Sequence, residues 1–446
     1  MKTKVFFTTL LTLKLLSSAY AQTLDKAKLD QFFDRLAEKN KAMGSLTIAK
    51  DGKVLHSRAI GYSEINGTAK KPLTAANRFR IGSITKMYTA AMILQLVEEG
   101  KLKLTDTLDK FFPQIPNAQK ITIMQILGHR SGIPNVSRDR SPQGNESTIP
   151  MTKVEMLGLI AKGTPDFEPD TKHLYSNSGY LLLGHILEKV TGKSYADALK
   201  ERITSKLGLA DTYVATGSID VSKNESLTYL YTGNAWKQMP ETHPSILFSA
   251  GAIVSTPNDM AKFIQALFDG RIISQENVAL MRTMRDGDGL GMEPFQFADK
   301  TLYGHTGGGD NYGAWLAYLP EEKLVFAYAS NAKIHPVRDI VSGVIDIYYR
   351  RPFQIPAFET TVVSTAILDK YVGVYSSPEV PVKFTITRNG TTLFVQPDSQ
   401  SAATLEATAP DKFQLAGGRI VFEFDAAKKQ MIHKRGGPAR VFTKEK

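Results

Sequence analysis

Ser83 and Lys86 form a Ser-x-x-Lys pair at the start of an apolar segment, and such a pair could perform acyl transfer. An α-helix turns once every ~3.6 residues, so a lysine three positions after a serine lies on the same face, within reach of the hydroxyl. A close, desolvated amine can accept the serine proton while the oxygen attacks an acyl carbon. The N-terminus of the same helix would direct unpaired N–H groups at the oxyanion that forms.

A second Ser-x-x-Lys sequence, at residues 330–333, stands in a different context. It follows a strand-like run at residues 324–328, so no helical pattern places its serine and lysine on one face. After Ser83, in contrast, apolar residues recur at helical spacing as far as Gly100, which fits a helix end. We therefore predict that Ser83, and not Ser330, opens a buried helix.

Tyr175 and Asn177 precede another apolar segment with helical spacing, which runs to Gly192. Asn177 or Ser178 is predicted to cap that helix, because short polar side chains can accept hydrogen bonds from its first N–H groups. A loop beside a buried helix is a rigid place from which polar groups can project into a cleft. The polar segment 137–150 is long enough to form a rim around such a cleft.

The triplet His305-Thr306-Gly307 is predicted to lie at the edge of a β-strand. Gly308 continues it, and an alternating pattern typical of a hairpin follows at residues 314–329. Glycines at a strand edge let the backbone of a ligand approach closely. The triplet is therefore a candidate substrate-binding edge.

The elements that must position these motifs indicate an α/β fold of the α+β kind. Helical spacing at residues 24–40 and a hairpin signal at 45–60 begin a layered antiparallel sheet with helices. This first part is predicted to cover residues 22–350. A stiff, proline-containing linker, 351–362, leads to short strands alone, which predict a small antiparallel β-barrel over 363–446.

The first 21 residues have the pattern of a secretory signal peptide. Lys2 and Lys4 precede an apolar run at residues 5–16, and Ala-Tyr-Ala at residues 19–21 fits a small-x-small cleavage site. A short buried helix is the alternative. Cleavage after Ala21 predicts a periplasmic or secreted protein, and no second apolar segment is long enough to be a transmembrane anchor. The sequence contains no cysteine, which excludes disulfides and a lipidated N-terminal Cys.

Composition argues against several functional classes. The net charge of the 446 residues is +11, yet no block of Lys and Arg with interleaved aromatic residues is present, so we expect no nucleic-acid partner. The eight histidines include no His-x-x-x-His pair with a Glu beside it, and neither His129 nor His185 has a partner at metal-binding spacing, so we expect no metal and no other cofactor. His129 and His185 are predicted to be structural.

The three motifs, at residues 83–86, 175–177 and 305–307, stand in this order along the chain. The set resembles the penicillin-recognising serine hydrolases of the peptidase family S12 type, closest to the branch of class C β-lactamases and D-alanyl-D-alanine carboxypeptidases. The resemblance covers nearly all of the first part, 22–350. It implies a β-lactamase/transpeptidase-like antiparallel sheet flanked by helices, with an all-helical region. The C-terminal segment, 363–446, resembles the lipocalin-like domains of some relatives.

The resemblance implies a catalytic role for residues of the first two motifs. Ser83 would be the acylated nucleophile, and Lys86 its base or proton relay. Tyr175 would protonate the leaving nitrogen and later activate water, while Asn177 would bind the substrate amide. These roles predict a serine hydrolase that acts through an acyl-enzyme on amide or ester bonds, most similar to a D-alanyl-D-alanine carboxypeptidase or a D-amino-acid peptidase.

The strand edge would bind the substrate. By the same resemblance, His305 and Thr306 would hold the substrate carboxylate or assist proton movement, beside Gly307. The backbone N–H groups of Ser83 and Gly308 would form the oxyanion hole. His305 is a departure, since most β-lactamases of this group carry Lys there. A His with a reference pKa near ~6.5 supplies less fixed positive charge at pH 7, which favours a peptidase over a dedicated β-lactamase.

Three alternatives stay open: a class C-like β-lactamase, an esterase for small esters, and a penicillin-binding or sensing protein that does not turn over. The expected partner is a small-molecule or peptide substrate, namely a D-amino-acid peptide, a β-lactam or an ester. The C-terminal domain is predicted to be a lid, a dimer element or a binding module, and oligomers could form through it.

Overall fold

The computed structural model describes residues 24–136, 148–309, 311–359, 361–398, 402–415, 420–435 and 438–445. The predicted signal peptide, residues 1–21, and most of the segment 137–150 lie outside the described residues. Within the described residues, the structure has no helix that is both long and apolar enough to cross a lipid bilayer.

Helices and strands of the described residues follow one another in a mixed order up to residue 348, and strands predominate after it. The helices are α1 (Lys26–Glu38), α2 (Thr85–Glu98), α3 (Ile123–Leu127), α4 (Lys153–Lys162), α5 (Asn177–Thr191), α6 (Tyr195–Leu199), α7 (Ser205–Leu207), α8 (Pro244–Gly251), α9 (Pro257–Phe268), α10 (Gln275–Arg282), α11 (Val337–Tyr348) and α12 (Thr365–Tyr371). The strands of the first part are β1 (Ala42–Lys50), β2 (Lys53–Ile60), β3 (Tyr62–Asn66), β4 (Ala69–Pro72), β5 (Phe79–Arg80), β6 (Tyr213–Val214), β7 (Tyr229–Tyr231), β8 (Trp236–Gln238), β9 (Ile253–Ser255), β10 (Glu293–Phe297), β11 (Lys300–Gly308), β12 (Gly313–Leu319) and β13 (Leu324–Lys333). Those of the second part are β14 (Gly373–Ser377), β15 (Val380–Asn389), β16 (Thr392–Pro397), β17 (Ala403–Ala409), β18 (Lys412–Leu415), β19 (Ile420–Asp425), β20 (Gln430–Lys434) and β21 (Arg440–Lys444).

The first part of the chain is built on a six-stranded sheet with the order β10-β11-β12-β13-β1-β2. All neighbouring strands in it are antiparallel. In β13, Val325 and Ala327 belong to one hydrophobic cluster, whereas Leu324 and Phe326 belong to the other. Alternate side chains of a strand point to opposite faces, so this sheet is covered on both sides. Helices α1 and α11 cover one face, and α2 and α9 lie in the cluster on the other.

Helix α2 lies inside the larger hydrophobic cluster. Its residues 85–96 are all buried, and a helix without a polar face belongs in a core. The helix ends at Glu98, and Gly100 follows with a φ of 68°. The predicted buried helix after Ser83 is thus confirmed. Ser330 instead lies in β13, where its hydroxyl donates to the Gly313 carbonyl at 3.0 Å, so the second Ser-x-x-Lys sequence is part of the sheet.

Helix α5 begins at Asn177, and the predicted cap at Asn177 or Ser178 was wrong. Ser176 occupies the cap position with extended backbone, and its side chain makes no capping hydrogen bond. Its N–H donates to the His129 Nδ1 atom at 3.2 Å, while the Ser178 hydroxyl accepts the N–H of Val136 at 3.0 Å. Ser178, one of the two residues predicted to cap the helix, therefore uses its hydroxyl for a contact with a distant segment.

Strands β14–β21 close into an eight-stranded antiparallel barrel, because β21 pairs with β14. Phe384, Phe413, Phe422 and Phe442 are among the side chains that fill its core. The described residues of the predicted linker, 351–359 and 361–362, contain no helix or strand. This architecture confirms the predicted α+β fold with a C-terminal β-barrel.

The first part and the barrel are joined by a largely buried ion pair. The Lys41 Nζ atom, next to β1, lies 2.5 Å from the Glu406 Oε1 atom on β17. Thr392 on β16 also donates its hydroxyl to the Thr232 carbonyl at 3.4 Å. The predicted domain boundaries remain a prediction, since these contacts do not show whether either part folds independently.

Candidate active site

Ser83 lies in a single 3₁₀ turn, Gly82–Ile84, directly before α2. Lys86, in the first turn of α2, is fully buried, whereas Ser83 is partly exposed. The Lys86 Nζ atom lies 3.2 Å from the Ser83 Oγ atom. The pair therefore combines a hydroxyl that a substrate can reach with an amine that is shielded from bulk water.

The Lys86 amine makes three hydrogen bonds, which is the number that an ammonium group can donate. Besides its bond to Ser83, it donates to the Asn177 Oδ1 atom at 2.7 Å and to the Ala250 carbonyl at 2.8 Å. Burial lowers the pKa of Lys86 to about 7, although the negative charge of Glu293 opposes this effect. A substantial fraction of the side chain is therefore a neutral amine at neutral pH, and a neutral amine can accept a proton.

Tyr175 closes the same site from the segment before α5. Its ring centroid lies 4.8 Å from the Lys86 Nζ atom, and its hydroxyl is hydrogen-bonded to Ser83. Burial raises the pKa of Tyr175, and the hydrogen bond with Ser83 lowers it only in part. The phenol is consequently protonated at neutral pH, so that a proton donor lies beside the serine oxygen.

His129, which the sequence predicts to be structural, lies inside the site. Its ring centroid is 4.4 Å from that of Tyr175 and 5.1 Å from that of Tyr180. Its backbone is left-handed with a φ of 55°, and its Nδ1 atom accepts the Ser176 N–H. Burial lowers the pKa of His129 well below its usual value, so the ring is neutral. His129 therefore supports the position of Tyr175 by packing, a role without any local sequence signal.

The edge of β11 touches the turn that carries Ser83, and glycines make this contact possible. A Cβ atom at residue 307 would lie 1.9 Å from the Ile81 carbonyl oxygen, and one at residue 82 would lie 2.6 Å from the Gly308 nitrogen. Gly82 also has a φ of 53°, a conformation that favours glycine. The Gly308 N–H is thereby held next to the turn that carries Ser83, which is where an oxyanion hole would need it.

His305 is buried beneath the same strand edge. Its Nδ1 atom donates to the Thr306 carbonyl at 2.5 Å, and its ring centroid is 6.3 Å from that of Tyr175. Burial lowers the pKa of His305, the charge of Glu293 raises it, and the charge of Lys86 lowers it. The net direction is downward from an ordinary histidine, so His305 is mostly neutral at pH 7.

Glu293, which the sequence analysis did not identify, completes the strand edge. It lies in β10 opposite Gly304 of β11. Its Oε2 atom accepts the Thr306 N–H at 3.2 Å and the Thr306 hydroxyl at 3.1 Å, and its Oε1 atom lies 3.8 Å from the His305 Nδ1 atom. Only the pairing of β10 with β11 brings it here. A lone glutamate in an unpatterned segment gives no sequence signal.

The structure brings the predicted site residues to one place, the junction of α2, α5 and β11. These residues are Ser83, Lys86, Tyr175, Asn177, His305, Thr306, Gly307 and Gly308. The role of each residue stays a prediction. In the part of the chain that the structure describes, no three His, Cys, Asp or Glu side chains are grouped as metal ligands.

A family model described as Beta-lactamase matches residues 29–342. The match spans most of the chain and contains every residue of the site described above. The chain therefore belongs to the beta-lactamase family, and its class is that of the serine hydrolases with this fold. This membership confirms the resemblance inferred from the three motifs.

Comparisons with individual proteins agree with this membership. Penicillin-binding protein 4* of Bacillus subtilis (strain 168) is 26% identical over 438 residues, which cover 92% of this chain and 96% of that protein. The D-alanyl-D-alanine-carboxypeptidase/endopeptidase AmpH of Escherichia coli (strain K12) is 24% identical over 80% of this chain and 100% of its own length. The crystal structure of D-amino acid amidase from Ochrobactrum anthropi SV3 complexed with D-phenylalanine matches with a TM-score of 0.64 and 26% identity, covering 72% of this chain and 99% of that one.

Proposed function

We propose that this chain forms an acyl-enzyme on Ser83 and cleaves amide bonds next to D-amino acids, as a D-alanyl-D-alanine carboxypeptidase or a D-amino-acid peptidase. One observation carries the proposal. The Lys86 amine lies 3.2 Å from the Ser83 Oγ atom, and burial lowers the pKa of Lys86 to about 7. A general base is most effective when its pKa lies near the working pH. A purely structural serine and lysine would not require a desolvated amine at this distance.

Acylation would begin when the neutral Lys86 amine accepts the Ser83 hydroxyl proton. The Oγ atom then attacks the substrate carbonyl carbon, and the resulting oxyanion receives the N–H groups of Ser83 and Gly308. Tyr175 donates its phenolic proton to the departing nitrogen as the C–N bond breaks. The products of this half-reaction are a free amine, an acyl-Ser83 ester, a lysine ammonium group and a tyrosinate.

Deacylation would reverse the proton movements. The Tyr175 oxygen accepts a proton from water while the water oxygen attacks the ester carbonyl. The bond between the carbonyl carbon and the Ser83 Oγ atom breaks, and the Lys86 ammonium returns a proton to that oxygen. Because the amine, the phenol and the serine oxygen are in mutual contact, these transfers need no large movement.

The choice of D-amino-acid substrates is supported by the relatives. One of them is a D-alanyl-D-alanine-carboxypeptidase/endopeptidase, and the solved structure reported above is a D-amino acid amidase with D-phenylalanine. The neutral His305 at the strand edge also supports a peptidase rather than a β-lactamase. β-Lactams and small esters present an acyl carbon to the same nucleophile, and so they belong in the test.

The proposal is tested in two stages. A fluorophosphonate or a labelled penicillin is added to the protein and to its Ser83→Ala variant, and intact mass spectrometry measures the adduct. We expect an adduct on the unaltered protein and none on the variant. Hydrolysis of D-Ala-D-Ala peptides, D-amino-acid amides, nitrocefin and p-nitrophenyl esters is then compared, and one of the first two classes is expected to have the highest kcat/KM.

Each outcome decides between the proposal and its alternatives. Full activity in Ser83→Ala would overturn the assignment of the nucleophile. Preferential turnover of nitrocefin or of the esters would replace the peptidase with a β-lactamase or an esterase. A permanent adduct on Ser83 with no substrate turned over would indicate a binding or sensing protein.

We also propose that the protein acts outside the cytoplasm, after cleavage of the signal sequence behind Ala21. The support is the basic, apolar and small-x-small pattern of residues 1–21. Expression of the full chain in a secreting host and N-terminal sequencing of the exported protein are expected to show Gln22 as the first residue. A cytoplasmic product that retains residues 1–21 would contradict this part of the proposal.

A further inference from the structure

Glu293 ends the pairing between β10 and β11 at the strand edge beside the nucleophile. The last residue pair of these strands is Glu293 with Gly304, so Thr306 has no partner strand on this side among the described residues. The carboxylate of Glu293 takes that place by accepting both the N–H and the hydroxyl proton of Thr306. The next residues of β11, 307 and 308, contact the segment that carries Ser83. A negative charge therefore lies where the proposed substrate has to bind.

The first consequence of this arrangement concerns hydrogen bonding. Because Thr306 donates its hydroxyl proton to Glu293, its oxygen has only lone pairs to offer a substrate. A substrate carboxylate at this position would meet an acceptor oxygen and a second carboxylate, without a proton to share. An amide N–H or an ammonium group could instead donate to either oxygen. The observed hydrogen bonds thus oppose the carboxylate-binding role that the family resemblance implies for Thr306.

The second consequence concerns the charges around the site. Arg130 and Arg285 each lie 2.7 Å from Asp170, and the His173 Nε2 atom lies 2.9 Å from Asp288. Burial raises the pKa of Asp288, a sign of the low-polarity surroundings at this side of the site. The buried Lys86 amine is already hydrogen-bonded to three oxygen atoms. Both arginines therefore have an acidic partner before a substrate arrives. Lys86 and His305 do interact with the Glu293 charge, but Lys86 is only about half protonated at pH 7 and His305 is mostly neutral, so they offset that charge only in part.

We propose that Glu293 determines specificity by rejecting leaving groups that carry a free carboxylate. Leaving groups that end in a carboxamide, continue into a longer peptide or carry an ammonium group are accepted. The proposal rests on the proposed function, because it presumes an acyl-enzyme on Ser83. It also decides between the two forms of that function, since it favours a peptidase for carboxyl-blocked D-peptides over a carboxypeptidase.

The expected size of the effect follows from the separation of the charges. A substrate carboxylate bound about 4 Å from Glu293 near the protein surface would be repelled strongly enough to weaken its binding by roughly 1,000-fold, and this value is an upper bound. The side chain of Glu293 is 24% exposed, so solvent and salt screen part of this repulsion. We therefore expect Glu293 to change the preference between matched neutral and anionic leaving groups by about 10-fold to 100-fold.

The test uses two peptides that share the scissile bond, N-acyl-D-alanyl-D-alanine and its carboxamide. For the unaltered protein, kcat/KM is expected to be at least about 10-fold higher for the carboxamide. In Glu293→Gln the amide oxygen can still accept both protons of Thr306, but the charge is gone. The ratio of the two kcat/KM values should then move toward unity by about 10-fold.

Asp299→Asn is the matched control, because it removes one acidic charge from the same β10–β11 hairpin. Asp299 is 80% exposed and lies at the turn, six residues from Glu293, which is about 20 Å along a strand. In Asp299→Asn the ratio of the kcat/KM values for the carboxamide and the free acid should stay within about twofold of that of the unaltered protein, since a charge at that distance is screened by salt.

The possible outcomes separate this inference from the proposed function. Preference of the unaltered protein for the free acid, or an unchanged ratio in a folded Glu293→Gln variant, would overturn the inference and leave the serine hydrolase intact. Hydrolysis of neither peptide would refute the proposed function and the inference with it. The ratio of the unaltered protein is decisive even where the variant is poorly folded.

Discussion

The protonation state of Lys86 is expected to control the rate at which Ser83 is acylated. Burial lowers the pKa of Lys86 from the ordinary 10.5 to about 7. The neutral amine therefore predominates above pH 7, and the ammonium group, which cannot accept a proton, predominates below it. About half of the side chains are neutral at pH 7 and about 1% at pH 5, so the acylation rate should fall roughly 50-fold over this range.

The measurement is the rate of labelling by an uncharged fluorophosphonate, followed by intact mass spectrometry from about pH 5 to about pH 9. Because the probe does not ionise, any pH dependence of the labelling rate reflects ionisation of the protein. We expect a rise with pH that levels off above a midpoint near 7. Lys86→Ala should acylate at least ~100-fold more slowly, and Lys86→Arg should share this loss because a guanidinium group does not deprotonate in proteins.

Lys153→Ala is a suitable control for these variants. Lys153 is an exposed helix residue that pairs with Glu188 at 3.0 Å, and its removal also deletes one lysine charge. Its labelling rate and pH profile should match those of the unaltered protein. A flat profile between pH 5 and pH 8 in the unaltered protein, or an unchanged rate in Lys86→Ala, would refute the reasoning that Lys86 is the base.

Three further substitutions test the rest of the site. Tyr175→Phe removes the phenolic oxygen that would accept a proton from water, so it is expected to slow deacylation by roughly 100-fold and the acyl-enzyme should accumulate in the mass spectrum; release at the unaltered rate would exclude Tyr175 as the group that activates water. Gly307→Ala would bring a methyl group to 1.9 Å from the Ile81 carbonyl oxygen, and we expect a loss of about 1–3 kcal/mol in urea unfolding; an unchanged midpoint would contradict the close contact. His129→Phe keeps an aromatic ring but deprives the buried Ser176 N–H of its acceptor, for an expected loss of about 1–3 kcal/mol, which a variant of equal stability would disprove.

The features that could be predicted from the sequence are those that depend on neighbours along the chain. Ser83 and Lys86 are three residues apart, so helix geometry alone places them on one face. The strand character of β11 and the hairpin that follows it come from alternation over a few residues. The closed barrel was also predictable as a class, because short strands separated by turns leave few other ways to pair every edge.

Prediction was poorer where a polar group has partners from distant segments. The local pattern assigned the cap of α5 to Asn177 or Ser178, yet Asn177 accepts from Lys86, and the Ser178 hydroxyl accepts the N–H of Val136. His129 was expected to be structural in an unspecified place, and its contact with Tyr175 depends on how the helical region packs. Such contacts follow from tertiary packing, which overrides local preference.

The amino-acid sequence alone was enough to predict Ser83 as the nucleophile and Lys86 as its partner, and it contains the three motifs in order, because each motif lies within one turn of helix or one short strand. Only the tertiary structure decided the environment of these groups. Burial makes Lys86 a potential base at neutral pH, and the register of β10 against β11 brings the Glu293 carboxylate to Thr306. Desolvation and charge depend on every atom within a few ångströms, and those atoms come from segments up to 226 positions apart in the chain, as Ile81 and Gly307 do.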